Sequence, residues 1–262
     1  FSQSREKPAF YFGDLLQVRL TNRLKGFDQN RIEPKLIAES YQLLEDPAFR
    51  VSYLEKRADL EAIADVIAKV ERQRILDPWG HRDFIAEARW TKEEAESTRD
   101  GVDLRTMELT EADQVGFKLI RDEQAMGYLR SWNKGMALVK MSKDTLVESS
   151  AIGLIYTDHH SAQQVLAGGA WLERLWLYWN SQGIAFQPVS PSTFMFARLG
   201  EEDSSTSDYL RQQLQKLRAQ YLELFDLDSK VNDLFLFRLF HAAEPQVRSL
   251  RKELDEVLKI IK

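Results

Sequence analysis

A chain of 262 residues that is 44% hydrophobic and 29% charged has ordinary globular composition and ample material for a buried core. A net charge of −5 and a pI near 5.6 argue against a general nucleic-acid or polyanion binder, so any basic feature is local and suits a small anion better than a polymer. With no cysteine, disulfides, thiolate zinc sites and cysteine nucleophiles are excluded, and His81, His159, His160 and His241 form no HExxH or HxH metal pattern.

No apolar run approaches the roughly 20 residues of a transmembrane helix. Residues 1–7 resemble neither a secretory signal nor an anchor, and they lack an initiator Met, which leaves room for a processed product or a piece of a longer polypeptide. A cytoplasmic chain is expected, with neither nucleic acid nor membrane as a partner.

Basic residues cluster between positions 14 and 25. Pro34 suits the first turn of a helix running to about Asp46. Phe49 to Tyr53 reads as a short strand. From Glu55 to Leu76, the residues Leu60, Ile63, Ile67 and Val70 recur at helical spacing, and Asp77 to Gly80 end that helix. His81 to Trp90 is a second helical stretch, followed by a capping box, Thr91 with Glu94, that starts another. Asp100 and Gly101 mark a turn. Thr110 to Arg130 reads as one helix despite Gly116 and Gly127. Met136 to Met141 and Ser149 to Thr157 read as buried strands, although short apolar runs do not separate strand from buried helix.

The most distinctive element follows. Ser161 caps a helix that runs to about Gln182, with Gly183 at its C′ position. Val165, Leu166, Ala170, Trp171, Leu172, Leu175, Trp176, Leu177, Tyr178 and Trp179 give it apolar side chains on nearly every side. Such a helix is expected to be buried all round, by the core or by a second subunit. Gly168 and Gly169 inside it cost helix stability, which points to close approach of another backbone, a neighbouring helix or a flat ligand. Ile184 to Val189 is extended. A polar stretch, Glu201 to Ser207, precedes a charged helix from Asp208 to Phe225. Asp233 to Phe240 reads as a strand. An amphipathic helix with Leu250, Leu254, Val257, Leu258 and Ile261 on one face closes the chain. With no repeat and no dividing linker, residues 1–262 are expected to form a single domain.

Arg19, Thr21, Asn22 and Arg23 place two guanidiniums and two hydrogen-bonding side chains within five residues, a set able to hold a phosphate. The competing reading is a solvated basic turn. Arg248, Ser249, Arg251 and Lys252 fall at the predicted start of the last helix, where cations oppose the macrodipole unless an anion compensates. Here the competing reading is solvent exposure or pairing with Glu253 and Asp255. Trp171, Trp176, Tyr178 and Trp179 form either a stacking surface or ordinary core, and His159 with His160 either a proton donor or a loop feature. No GxSxG, P-loop or Rossmann glycine fingerprint is present.

Taken in order, these pieces resemble the nitroreductase-like FMN flavoprotein superfamily, as a divergent branch. Arg19, Thr21 and Arg23 fit its opening Arg-x-Ser/Thr-x-Arg segment. Ala167 to Trp171 and Ser181 to Ile184 fit its long hydrophobic central helix, and Phe235 to Leu239 followed by Arg251 to Asp255 fit its closing strand and basic stretch. The resemblance covers the chain from about Leu15 onward. It implies an α+β fold with a central, mostly antiparallel sheet flanked by helices, one of them long, hydrophobic and buried. It also implies bound FMN, with Arg19, Arg23, Arg248 and Arg251 on the phosphate, Thr21 as a hydrogen-bond donor and Gln187 near the ring. NAD(P)H would be the donor, a small molecule the acceptor, and the assembly a homodimer about the central helix or a unit joined to a partner domain in a longer chain.

Two departures qualify the comparison. The family's Pro-Ser-x-x-Asn-x-Gln-Pro-Trp-like ring-contact stretch is replaced by Leu43 to Phe49, and the late segment Glu201 to Phe225 has no assigned role. No residue presents itself as an acid or base. The first reading is therefore an FMN-dependent oxidoreductase, and the second a non-catalytic dimerisation or ligand-sensing domain derived from the same fold. A third, a helical scaffold, requires segments 136–141, 149–157 and 233–240 to be helical.

Overall fold

The computed structural model describes residues 13–17, 19–27, 31–159, 161–200 and 206–259. The expectations placed on residues 1–7, His160, residues 201–205 and Ile261 lie outside them. The strands are Phe49–Leu54 (β1), Ala88–Arg89 (β2), Val102–Asp103 (β3), Ala151–Thr157 (β4), Ala185–Pro188 (β5) and Asn232–Phe240 (β6). The helices are Pro34–Tyr41 (α1), Arg57–Leu76 (α2), Pro78–Glu87 (α3), Lys92–Thr98 (α4), Glu111–Arg121 (α5), Glu123–Ser131 (α6), Met136–Leu146 (α7), Ala162–Ser181 (α8), Ser190–Ala197 (α9), Asp208–Leu224 (α10) and Leu254–Val257 (α11).

The main sheet has the order β1-β4-β6-β5, and each neighbouring pair is antiparallel. Every residue of β4 is buried, because helices cover both faces of the sheet. Its side chains alternate between two cores, as the period of two in a strand requires. Ile152, Leu154 and Tyr156, joined by Leu236 of β6, pack with Leu60, Ile63 and Ile67 of α2 and with Leu214 and Tyr221 of α10. Ala151 and Ile155, joined by Phe237 and Leu239 of β6 and Phe186 of β5, pack with Leu175, Trp176, Tyr178 and Trp179 of α8 and Ile37 of α1. A smaller cluster of Ile75, Ile120 and Met126 ties α5 and α6 to the end of α2. This sheet removes the purely helical scaffold from consideration.

Several elements differ from the sequence expectation. Met136 to Met141 is the start of α7, not a strand. Only Val139 and Leu146 of that helix are buried, and their seven-residue spacing is that of one helical face. The helix expected over 110–130 breaks at Asp122, whose backbone is extended (φ −83°, ψ 111°) and whose carboxylate caps α6 by accepting from the Ala125 N–H. The first helix stops at Tyr41 rather than Asp46. Asp77 ends α2 and also caps α3 by accepting from the Gly80 N–H, so the turn is a helix start as well. Pro191 lies in the first turn of α9, a helix that Pro188 and Pro191 hide in the sequence. The closing amphipathic helix shrinks to α11, because the stretch before it is irregular and tied down by side chains described below, and Leu250, Val257 and Leu258 remain exposed.

The central helix is only partly enclosed. Leu175 to Trp179 are buried, whereas Val165 and Leu166 are 56% and 79% exposed. Its two glycines serve different surroundings. A Cβ on Gly168 would stand 2.5 Å from the Leu234 side chain, so the close approach is made by a sheet side chain rather than by a backbone; a Cβ on Gly169 would meet nothing within 4 Å.

Gly153 has a tighter constraint. It lies between Tyr53 and Phe237 across the sheet, and a Cβ there would stand 2.3 Å from the Phe237 ring, which packs edge-on against Tyr53 with 6.0 Å between ring centroids. Gly153→Ala is expected to destabilise the fold by roughly 1–3 kcal/mol through overpacking, read as a lower urea midpoint at unchanged slope.

Candidate functional site

Two chain segments far apart in sequence meet beside the β5–β6 edge. The first, residues 19–27, is irregular and anchored on α8 and β5. The Leu20 N–H donates to Asn180 Oδ1 (2.9 Å), the Trp176 indole N–H donates to the Leu20 carbonyl (2.8 Å), and the Asn22 N–H donates to the Phe186 carbonyl (3.0 Å). The second is the irregular arm after β6, residues 241–253. It is sewn to the first by side chains: Asn22 Nδ2 donates to the Ala243 carbonyl (2.8 Å), and Arg23 Nη1 donates to Ser249 Oγ (3.2 Å). Arg251 donates to the carbonyls of Leu16 and Arg19, both at 2.7 Å.

Residues 99–108 hold the arm from its other side. Arg99 Nε donates to the Arg251 carbonyl (2.7 Å), and the Glu108 carboxylate accepts from the Gln246 N–H (2.7 Å). Between arm, first segment and the end of α8 lies a cleft of about 310 Å³, with Arg19, Asn22, Asn180, Ile184, Glu244 and Arg248 in its lining. That volume is at the small end of small-molecule sites.

The structure thus brings both arginine pairs to one place, with distinct roles. Arg19 stacks over the Trp176 ring at 4.2 Å and pairs with Glu173 at 3.1 Å. Arg248 lines the cleft and pairs with Glu244 at 2.7 Å. Arg23 donates to Thr106 Oγ1 (3.1 Å) as well as Ser249, and Arg251 donates to backbone carbonyls, so both have only neutral acceptors among the described residues. Neither lines the cavity; both lie on its two bounding segments. The Thr21 side chain is half-buried and makes no hydrogen bond among the described residues. Gln187, on β5, accepts from Arg238 Nε at 2.6 Å.

Four guanidiniums therefore gather here against two paired carboxylates, Glu173 and Glu244, an excess of two positive charges. Burial lowers the pKa of Arg19, Glu173 opposes that, and the like charge of Arg251 adds to the lowering. Burial also lowers that of Arg23, with Asp103 opposing. Asp103 itself is committed to Arg105 at 2.7 Å. An anion placed here would relieve both the repulsion and the desolvation.

Arg248 and Arg251 do not begin a helix, since α11 starts at Leu254, so the expected conflict with a macrodipole does not arise. The aromatic residues of α8 are packing residues: Trp176 stacks on Phe186 with 4.7 Å between ring centroids, and Tyr178 and Trp179 are core. His159 is exposed and contributes its carbonyl to Asn232. Among the described residues no cluster of His, Asp and Glu could hold a metal, and no helix is long and apolar enough to cross a membrane. Asn180, Thr106 and Arg238 are site components that sequence reasoning missed. Only Arg238 carried a signal, as a lone cation inside an apolar strand.

No protein-family model matches the sequence. A curated relative, "Uncharacterized protein MT1398" from Mycobacterium tuberculosis (strain CDC 1551 / Oshkosh), is 27% identical over 235 residues. The match covers 90% of this chain and 32% of that protein, so the chain spans about a third of the relative's length. Among solved structures, the FMN and NADPH-dependent nitroreductase NfnB from Sphigopyxis sp. strain HMH matches with a TM-score of 0.55 over 97% of this chain and 100% of that one, at 13% identity. The chain has a nitroreductase-like fold. A nitroreductase with bound FMN from Bacteroides fragilis NCTC 9343 matches with a TM-score of 0.51 over 96% and 98% of the two chains, at 10% identity. In this fold, helices cover both faces of the sheet and the cleft opens beside the β5 edge.

Asn22 is the knot of the site, 3% exposed, with its side chain donating to Ala243 and its Oδ1 accepting from the Leu24 N–H (3.0 Å). Asn22→Ala removes the hydrogen bonds to the Ala243 carbonyl and the Leu24 N–H, both only part-buried, and a loss of about 0.5–1.5 kcal/mol per bond is expected. The loss should be accompanied by faster proteolysis within residues 241–253; an arm that stays protected would contradict this role.

Proposed function

We propose that the protein is an FMN-dependent oxidoreductase of nitroreductase-like fold, passing electrons from a nicotinamide donor to a small-molecule acceptor. The observation that carries this reading is the excess of two guanidinium charges where the 19–27 segment meets the 241–253 arm, which matches the charge of a phosphate monoester. Thr21 supplies an uncommitted hydroxyl beside them. Bound FMN would supply the redox chemistry, and the chain's own residues would hold the phosphate, orient the group and exclude water. Arg23 and Arg251, on the two segments that bound the cleft, would be the phosphate ligands in this reading, because their present acceptors are neutral. Arg19 and Arg248 would share their charge between Glu173 or Glu244 and the ligand.

A homodimer about α8 belongs to the same reading. Val165 and Leu166 are exposed on its N-terminal half, and Gly169 faces open space, so a second copy could approach closely there. Leu166→Glu is then expected to shift a dimer toward monomer in sedimentation; an unchanged oligomeric state would remove this surface.

One observation favours the second reading, a non-catalytic ligand-sensing domain. Arg19 and Arg248 already have carboxylates, and Gln187 already has Arg238, which reduces what is free to meet a flavin. Titration of the purified protein with FMN, followed by flavin fluorescence, separates the two. Binding is expected, and Arg23→Ala with Arg251→Ala should weaken it by roughly 2–5 kcal/mol. Absence of FMN binding, with thermal stabilisation by inorganic phosphate that the same substitutions abolish, would establish the sensing reading instead.

A further inference from the structure

Arg238 occupies a position where an apolar side chain would be expected. It lies in β6 between Phe237 and Leu239, is 0% exposed, and faces the same side of the sheet as Leu236 and Phe240. Its guanidinium lies over the Phe240 ring at 3.8 Å. Nε donates to Gln187 Oε1 (2.6 Å), Nη1 to the Thr145 carbonyl (2.9 Å) and Nη2 to the Leu24 carbonyl. All three acceptors are neutral. Burial draws its pKa down to about 9, with Glu148 opposing. A buried cation without a bonded carboxylate is costly to desolvate, so its presence calls for a reason.

What the cation holds gives the reason for its presence. Arginine only donates, so the Gln187 carboxamide must turn its oxygen toward Arg238. The amide nitrogen is thereby turned away, and its two N–H groups have no acceptor among the described residues. The Leu24 carbonyl follows directly on Arg23, so the same guanidinium fixes the end of the Arg19–Arg23 segment against the sheet. A single side chain thus sets the position of Gln187, on β5 just beyond the cleft lining, and of the segment that carries Arg19 into that lining.

We propose that Arg238 is a positioning residue, which presents the Gln187 amide N–H groups to an anionic or carbonyl-bearing ligand and pins the segment that carries Arg19, Thr21 and Arg23. This rests on the FMN reading for the identity of the ligand, while the pinning itself does not. Gln187→Glu retains the acceptor for Arg238 and removes the donor. It is expected to keep or raise the unfolding midpoint and to weaken FMN binding by about tenfold or more, as loss of a hydrogen bond to a polar ligand atom implies. Arg238→Met should speed amide exchange at Leu20 and Asn22 and weaken FMN binding by a similar factor. Arg238→Lys, which cannot span three acceptors, should fall between it and the parent, and serves if the Met variant does not fold.

Wild-type affinity in Gln187→Glu would overturn the donor role, and unchanged exchange at Leu20 and Asn22 in the folded Arg238 variants would overturn the pinning. If the parent protein binds no FMN, the flavin reading fails on that measurement, and the exchange arm still decides the pinning.

Discussion

Strand β6 lies between β4 and β5, and the candidate site depends on that placement. Its alternate residues feed two separate cores: Leu236 goes to the α2–α10 side, and Phe237 and Leu239 go to the α8 side. Because its C-terminal half, Leu236 to Phe240, is buried and pairs with β4 on one edge and β5 on the other, its register cannot slip by one residue without exchanging the two cores. That register places Arg238 opposite Gln187 and delivers the 241–253 arm to the 19–27 segment. The cleft therefore inherits its geometry from the buried half of β6.

The arm itself has little hydrophobic support. Its order comes from guanidiniums and amides donating to main-chain carbonyls: Asn22 to Ala243, Arg251 to Leu16 and Arg19, and Arg99 to Arg251. Such bonds restrain position without neutralising charge. A planar guanidinium suits this task because it has five donors and can bridge acceptors from separate segments. The result is a pair of irregular segments held in register while keeping an excess of positive charge. An apolar clasp would have given comparable order without the charge.

Partial enclosure of α8 has a related explanation. The half of the helix beside the arm, Leu175 to Trp179, is core, and its indole and carboxamide groups anchor residue 20. The other half presents Val165, Leu166 and Gly169 outward. One helix thus serves as the floor of the cleft at its C-terminal end and as an apolar surface at its N-terminal end.

The sequence by itself determined the α+β class, strands over 49–53, 149–157 and 233–240, each within two residues of those observed, the helices α2, α8 and α10, and, through family resemblance, that an early and a late arginine cluster belong together. Those features rest on local periodicity, capping residues and motif order, which act over neighbouring residues. Tertiary structure alone decided that Met136 begins a helix, since the fold buries only Val139 and Leu146 of it, and that the segment after β6 is an arm rather than a helix. It also decided the burial of Arg238. Spacing along a chain does not specify which carbonyls will surround a guanidinium; that depends on strand register and on contacts more than 200 residues apart, such as Arg238 with Leu24 and Arg251 with Arg19. The two arginine pairs could be named from the sequence, but their charge balance could be read only once Glu173, Glu244 and the carbonyls were in place.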